Sequence, residues 1–107
     1  MSYVTTEIKE YRTAIFPQEG TPAKITLWNA GNQIFAVLFL RPDGESLPIA
    51  YDDVDQGYVR AYFHRSAYLE LMDLLRNEDP VYFHFWTGAG NNTHLATGNE
   101  PVGEGEN

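Results

Sequence analysis

Apolar and polar side chains alternate with a period of two through much of this chain, the pattern of strands with one face buried. Residues 3–8 and 11–16 are rich in β-branched and aromatic side chains that suit a pleated surface. Residues 17–22, with Gly20 between two prolines, read as a loop. From Lys24 to Trp28 the alternation is strict, with Ile25 and Leu27 on one side and Lys24, Thr26 and Trp28 on the other. A turn cluster at residues 29–32 leads to the continuous apolar run Ile34 to Leu40. Such a run between turn signals predicts a strand covered on both faces, so residues 23–40 form a β-hairpin.

Arg41-Pro42-Asp43-Gly44 is a strong turn signal, and residues 47–51 read as a strand that Pro48 confines to a sheet edge. Residues 52–57 form an acidic turn. Alternation resumes over 58–64, with Val59, Ala61 and Phe63 toward a core and Tyr58, Arg60, Tyr62 and His64 away from it. Residues 81–86 repeat the pattern, placing Tyr82, His84 and Trp86 opposite Val81, Phe83 and Phe85. A Gly/Asn-rich turn at 88–92 then returns the chain into a partner strand, 93–97.

Only residues 66–78 carry a helical period. Tyr68, Leu71, Met72 and Leu75 share one face, Ala67, Leu74 and Leu69 widen it, and Ser66, Glu70, Asp73 and Asn77 form a polar strip. Ser66 fits an N-cap, and Pro80 ends the run. At about 100° per residue the apolar arc covers roughly 220°, against about 100–140° for a helix lying on a flat sheet. The excess predicts a sheet that curls around the helix, or a second copy of the chain. The fold class is therefore α+β: a mainly antiparallel, strongly twisted sheet of about six to seven strands packed around a single helix (66–78), which a C-terminal β-hairpin follows.

A chain of 107 residues fits one domain, placed at 1–97, with 98–107 an acidic flexible tail rich in Gly, Glu and Asn. The formal charge of −8 disfavours nucleic acid and anionic membrane surfaces. The opening residues lack the layout of a secretory signal and there is no long apolar run, so a cytoplasmic protein without membrane contact is expected. With no cysteine, neither a disulfide framework nor a thiolate site is available.

Candidate chemistry is sparse. If strands 58–64 and 81–86 share a sheet, Tyr58, Arg60, Tyr62, His64, Tyr82, His84 and Trp86 crowd one surface, joined by Lys24 and Trp28. Aromatic rings mixed with Arg and Lys make stacking platforms, and the same residues also serve as a second packing layer or a subunit interface. Pairing Trp86 with His94 across the turn sets His84 and His94 on one face as diagonal neighbours, about 7–8 Å apart. A metal there would need a third ligand, and no His-x-His, Glu-x-x-His or cysteine supplies the usual spacing. Asp52, Asp53 and Asp55 fail the calcium-loop pattern because Gly57 falls at the wrong position, leaving a solvated turn. Gly88-Ala89-Gly90 lacks the Lys-Ser/Thr of a phosphate loop, and Asn91-Asn92-Thr93 is a glycosylation pattern without a secretion signal. No motif surrounds Ser66 that would make it a nucleophile. Neither catalytic residue, metal nor cofactor is expected.

The expectation is a small homodimeric binding module that shows its aromatic face to a protein or small ligand. The layout, several antiparallel strands and then one helix, resembles that of the PC4-like and Whirly-like binders. That resemblance implies an alternative function, single-stranded nucleic-acid binding by Lys24, Trp28, Arg60, Tyr62 and Trp86. A small metal-dependent enzyme using His84 and His94 is the third possibility.

Overall fold

The computed structural model describes residues 3–17, 23–86 and 93–98. The tail at 99–107 and the turn at 88–92 lie outside the described residues, as does most of the loop at 17–22. Among the described residues, eight strands and one α-helix make a mixed α+β domain with two sheets, where the sequence pattern predicts one. In chain order these are β1 (Tyr3–Ile8), β2 (Glu10–Ile15), β3 (Ala23–Trp28), β4 (Ile34–Arg41), β5 (Tyr51–Asp53), β6 (Tyr58–His64), α1 (Tyr68–Asn77), β7 (Val81–Trp86) and β8 (His94–Thr97). The five-stranded sheet runs β2-β3-β4-β6-β5, and the three-stranded sheet runs β1-β7-β8. Every pairing is antiparallel except β4 with β6.

The alternation predicts the core well. Ile25, Leu27, Ala36, Leu38, Leu40 and Ala61 from the larger sheet join Ile8, Val81, Phe83 and Phe85 from the smaller one in a single buried cluster. Phe35 meets Phe83 edge-on, ring centroids 5.9 Å apart, where the two sheets face each other. The β3–β4 hairpin forms as the turn cluster predicts, with Asn29 Oδ1 accepting from the amides of Gly31 and Gln33. β4 is the central strand of its sheet, and Val37 on its outer side is buried as well, which accounts for its unbroken apolar run.

Several expectations need correction. The strand expected at 47–51 begins only at Tyr51 and extends to Asp53, although it does occupy an edge. Pro48 precedes it, because proline cannot donate to the β6 ladder. The segment after the helix is not a stand-alone closing hairpin: β7 is the middle strand of a sheet whose other partner is the amino-terminal β1. Phe83 and Phe85 need a wide apolar surface over them, and two strands alone would not complete one.

The helical segment also starts differently. Arg65–Ala67 is a 3-10 turn, and neither it nor α1 has a side-chain cap of its own. Ser66 instead donates its backbone N–H to Asp43 Oδ1 at 3.0 Å, so the capping carboxylate comes from the Pro42-Asp43-Gly44 turn in a distant part of the chain. Within one chain the helix is not enclosed on nearly all sides. Leu71 is buried, and Tyr68, Met72 and Leu75 are half-buried against the core. Thr13 Oγ1 reaches Met72 Sδ at 3.5 Å, tying the helix to β2. Leu74 is half-buried, whereas Leu69 is 77% exposed.

Candidate functional site

Residues directly opposite each other on neighbouring strands project to the same side of a sheet. On the outer side of the larger sheet, the register lines Arg12, Thr26, Val37, Arg60 and Tyr51 in one row, and Ala14, Lys24, Phe39 and Tyr62 in the next. Arg41 and His64 are paired beyond them, and Tyr58 faces Asp53 at the other end. The predicted group Lys24, Trp28, Tyr58, Arg60, Tyr62 and His64 thus shares one face.

The predicted union with Tyr82, His84, Trp86 and His94 does not occur. β6 and β7 belong to different sheets whose apolar sides meet in the core, so their polar sides point away from each other. Periodicity assigns sides within a strand but does not say which strands are neighbours.

Rings and cations interleave across the larger face. Phe39 and Tyr62 stack with centroids 5.6 Å apart and planes 26° from parallel. The Arg60 guanidinium lies 4.8 Å from the Phe39 centroid and 5.7 Å from that of Tyr58. Arg41 lies 5.7 Å from the Tyr62 centroid, and Lys24 Nζ lies 5.7 Å from that of Phe16. Arg60 Nε donates to Asp53 Oδ2 at 2.7 Å, with the two side chains 26% and 17% exposed. That bond holds Asp53 below the usual carboxylate range and raises Arg60 above its ordinary value. Asp53 is therefore a partner of Arg60 rather than part of a solvated turn, and its carbonyl accepts from Gly57, whose φ of 82° closes the β5–β6 hairpin. Desolvation, followed by the neighbouring Tyr62, raises Tyr51 above the ordinary phenol value. His64 Nε2 donates to the Glu45 carbonyl at 2.8 Å.

The charge on this face opposes that of the chain. Arg12, Lys24, Arg41 and Arg60 are four of the seven Lys and Arg residues, and Glu10 and Asp53 are the acids on the paired strands beside them. The face carries 4 − 2 = +2, which leaves 3 − 13 = −10 for the rest of the sequence. Among the described residues, Arg60 is the only one of these four cations in an ion pair. Nε of Arg41 is buried without a hydrogen-bond partner among the described residues.

Sequence reasoning missed Arg12, Phe39, Arg41, Tyr51 and Asp53. Phe39 and Arg41 were within reach, since closing the 23–40 hairpin on residues 29–32 sets Lys24 opposite Val37, on the same side of the strand as Phe39 and Arg41, and the irregularity between Leu27 and Trp28 then shifts its partner to Phe39. Arg12 and Asp53 were not, because their place depends on edge pairings that periodicity leaves open.

The smaller sheet carries the second predicted group. His84 and His94 are directly opposite rather than diagonal, because the actual register pairs 84 with 94 where the expected one paired 86 with 94. Their rings stack with centroids 4.7 Å apart and planes 14° from parallel. Thr5 Oγ1 shares a hydrogen bond of 3.1 Å with His84 Nδ1. Burial, and then the adjacent His94, push His84 below the ordinary histidine value. Among the described residues, no cluster of three His, Asp or Glu side chains is arranged to hold a metal ion.

A third surface lies where β2 meets the start of the helix. Ile15, Phe16, Leu40, Tyr68 and Leu69 line an apolar groove of about 510 Å³. No described helix is long and apolar enough to cross a membrane. No known protein family, curated protein or solved structure matches this chain.

Proposed function

We propose that this protein is a non-enzymatic interaction module that engages a protein partner through the outer face of its five-stranded sheet. The observation that carries this reading is the gathering of four of seven cations, interleaved with aromatic rings, on one face of a chain with net charge −8. Those cations sit on four different strands, wider than a small molecule spans, which favours a macromolecular surface. Single-stranded nucleic acid is disfavoured because base stacking needs open ring faces. Here Phe39, Tyr58, Tyr62 and Phe16 already have guanidinium or ammonium groups beside them. A photo-crosslinking residue at position 58, in the presence of the native cell extract, tests the proposal. A partner captured from position 58 and absent from position 70 supports it; capture only from position 70 overturns it.

Self-association is a second reading, favoured by one specific observation: Ile15 and Leu69, 71% and 77% exposed, border the same apolar groove. A homodimer across this groove would cover the part of the helical arc that the larger sheet leaves open. Sedimentation equilibrium of the wild type and of Leu69→Glu tests it. A two-chain mass reduced to one by the substitution supports the dimer, and a one-chain wild type rejects it.

A further inference from the structure

Resting on the proposal that this face is the recognition surface, we infer that its partner is an extended acidic protein segment with carboxylates at alternate residues. Arg12 lies opposite Thr26, so Lys24 is one strand over and two residues along from Arg12. Lys24 lies opposite Phe39, so Arg41 is again one strand over and two residues along, in the same direction. With strands about 4.8 Å apart and residues about 3.3 Å apart, each step spans about 8 Å. The three cations thus form an evenly stepped diagonal across β2, β3 and β4.

An extended peptide places its i and i+2 side chains on one side, about 6.7 Å apart. The long, flexible stems of arginine and lysine readily cover the difference from 8 Å. None of the three forms an ion pair with another described residue, although acids outnumber cations about two to one in the sequence. Arg60 differs: Asp53 neutralises it, and its place against Phe39 and Tyr58 makes it part of the supporting layer. Since neighbouring cations already flank the rings, what the face offers a ligand is N–H donors at regular intervals, which carboxylates accept.

The test uses the full chain and fluorescein-labelled peptides read by anisotropy. One peptide has glutamate at every second position separated by threonine; a second has the same composition with its glutamates in one block; a third has glutamine for glutamate. The alternating peptide is expected to bind most tightly and to weaken as salt is added. Lys24→Gln and Arg41→Gln should each weaken it about three- to fivefold, while Arg76→Gln, off this face, leaves it unchanged. Equal binding of the alternating and block peptides overturns the inference, as does an oligothymidine that outcompetes the alternating peptide. No binding at millimolar peptide overturns it too. Amide chemical shifts distinguish the recognition surface from its acidic preference. Perturbations confined to residues off the face reject the recognition surface itself, whereas perturbations on the face that glutamine peptide reproduces reject only the acidic preference.

Discussion

His84 and His94 lie directly across β7 and β8 with their imidazoles stacked 4.7 Å apart, and Thr5 on β1 hydrogen-bonds the first of them. The pair therefore joins all three strands of the smaller sheet on its outer side. Burial holds His84 below its ordinary value of 6.5, so near and below that pH the unfolded chain binds a proton that the folded chain resists. The stability linked to His84 is complete above that value and is lost as pH falls through the lower folded value. Denaturant titrations at a series of pH values should show stability falling on acidification from neutrality. His84→Leu should flatten that slope, while a slope unchanged by the substitution would remove His84 as its source.

Asp53 titrates in the acid range by the same logic, with Arg60 as its charged partner. Asp53 is held below its ordinary value of 3.8 chiefly by Arg60, so this contribution is present above that pH and is lost as pH falls further. Asp53→Asn should destabilise the protein at neutral pH and shrink the acid limb of the stability curve. Arg60→Gln should do both as well. A double-mutant cycle with additive effects would show that the 2.7 Å bond contributes nothing.

Two leucines two residues apart on the helix should respond differently. Leu71 is 5% exposed and packed in the core, so Leu71→Ala should cost about 2–5 kcal/mol. Leu69 is 77% exposed, and Leu69→Ala should change monomer stability by less than about 0.5 kcal/mol. Equilibrium unfolding in urea distinguishes them, and equal losses would contradict the helix orientation.

The helix start should depend on a residue from another part of the chain. Asp43→Ala removes the acceptor for the Ser66 amide and should cost about 0.5–2 kcal/mol. Ser66→Ala should be close to neutral, because no side-chain capping bond is made there. Thermal unfolding of the two variants reads the difference, and the reverse order would restore Ser66 as the cap.

Periodicity along the chain is enough to assign the apolar side of β3, β6 and β7, the β3–β4 hairpin, the position of the helix and the burial of Ile25, Leu27, Ala61, Phe83 and Leu71. These follow from periods of 2 and 3.6, which depend only on neighbouring residues. Tertiary structure alone decided that β1 pairs with β7 while β2 pairs with β3, dividing the strands into two sheets. A strand's two edges offer the same N–H and C=O groups to any partner, so alternation fixes facing and leaves neighbours open. That choice separated His84 and Trp86 from Arg60 and Tyr62 and drew Arg12, Lys24 and Arg41 into a diagonal, while the β5–β6 hairpin brought Asp53 to Arg60 and the turn after β4 brought Asp43 to Ser66.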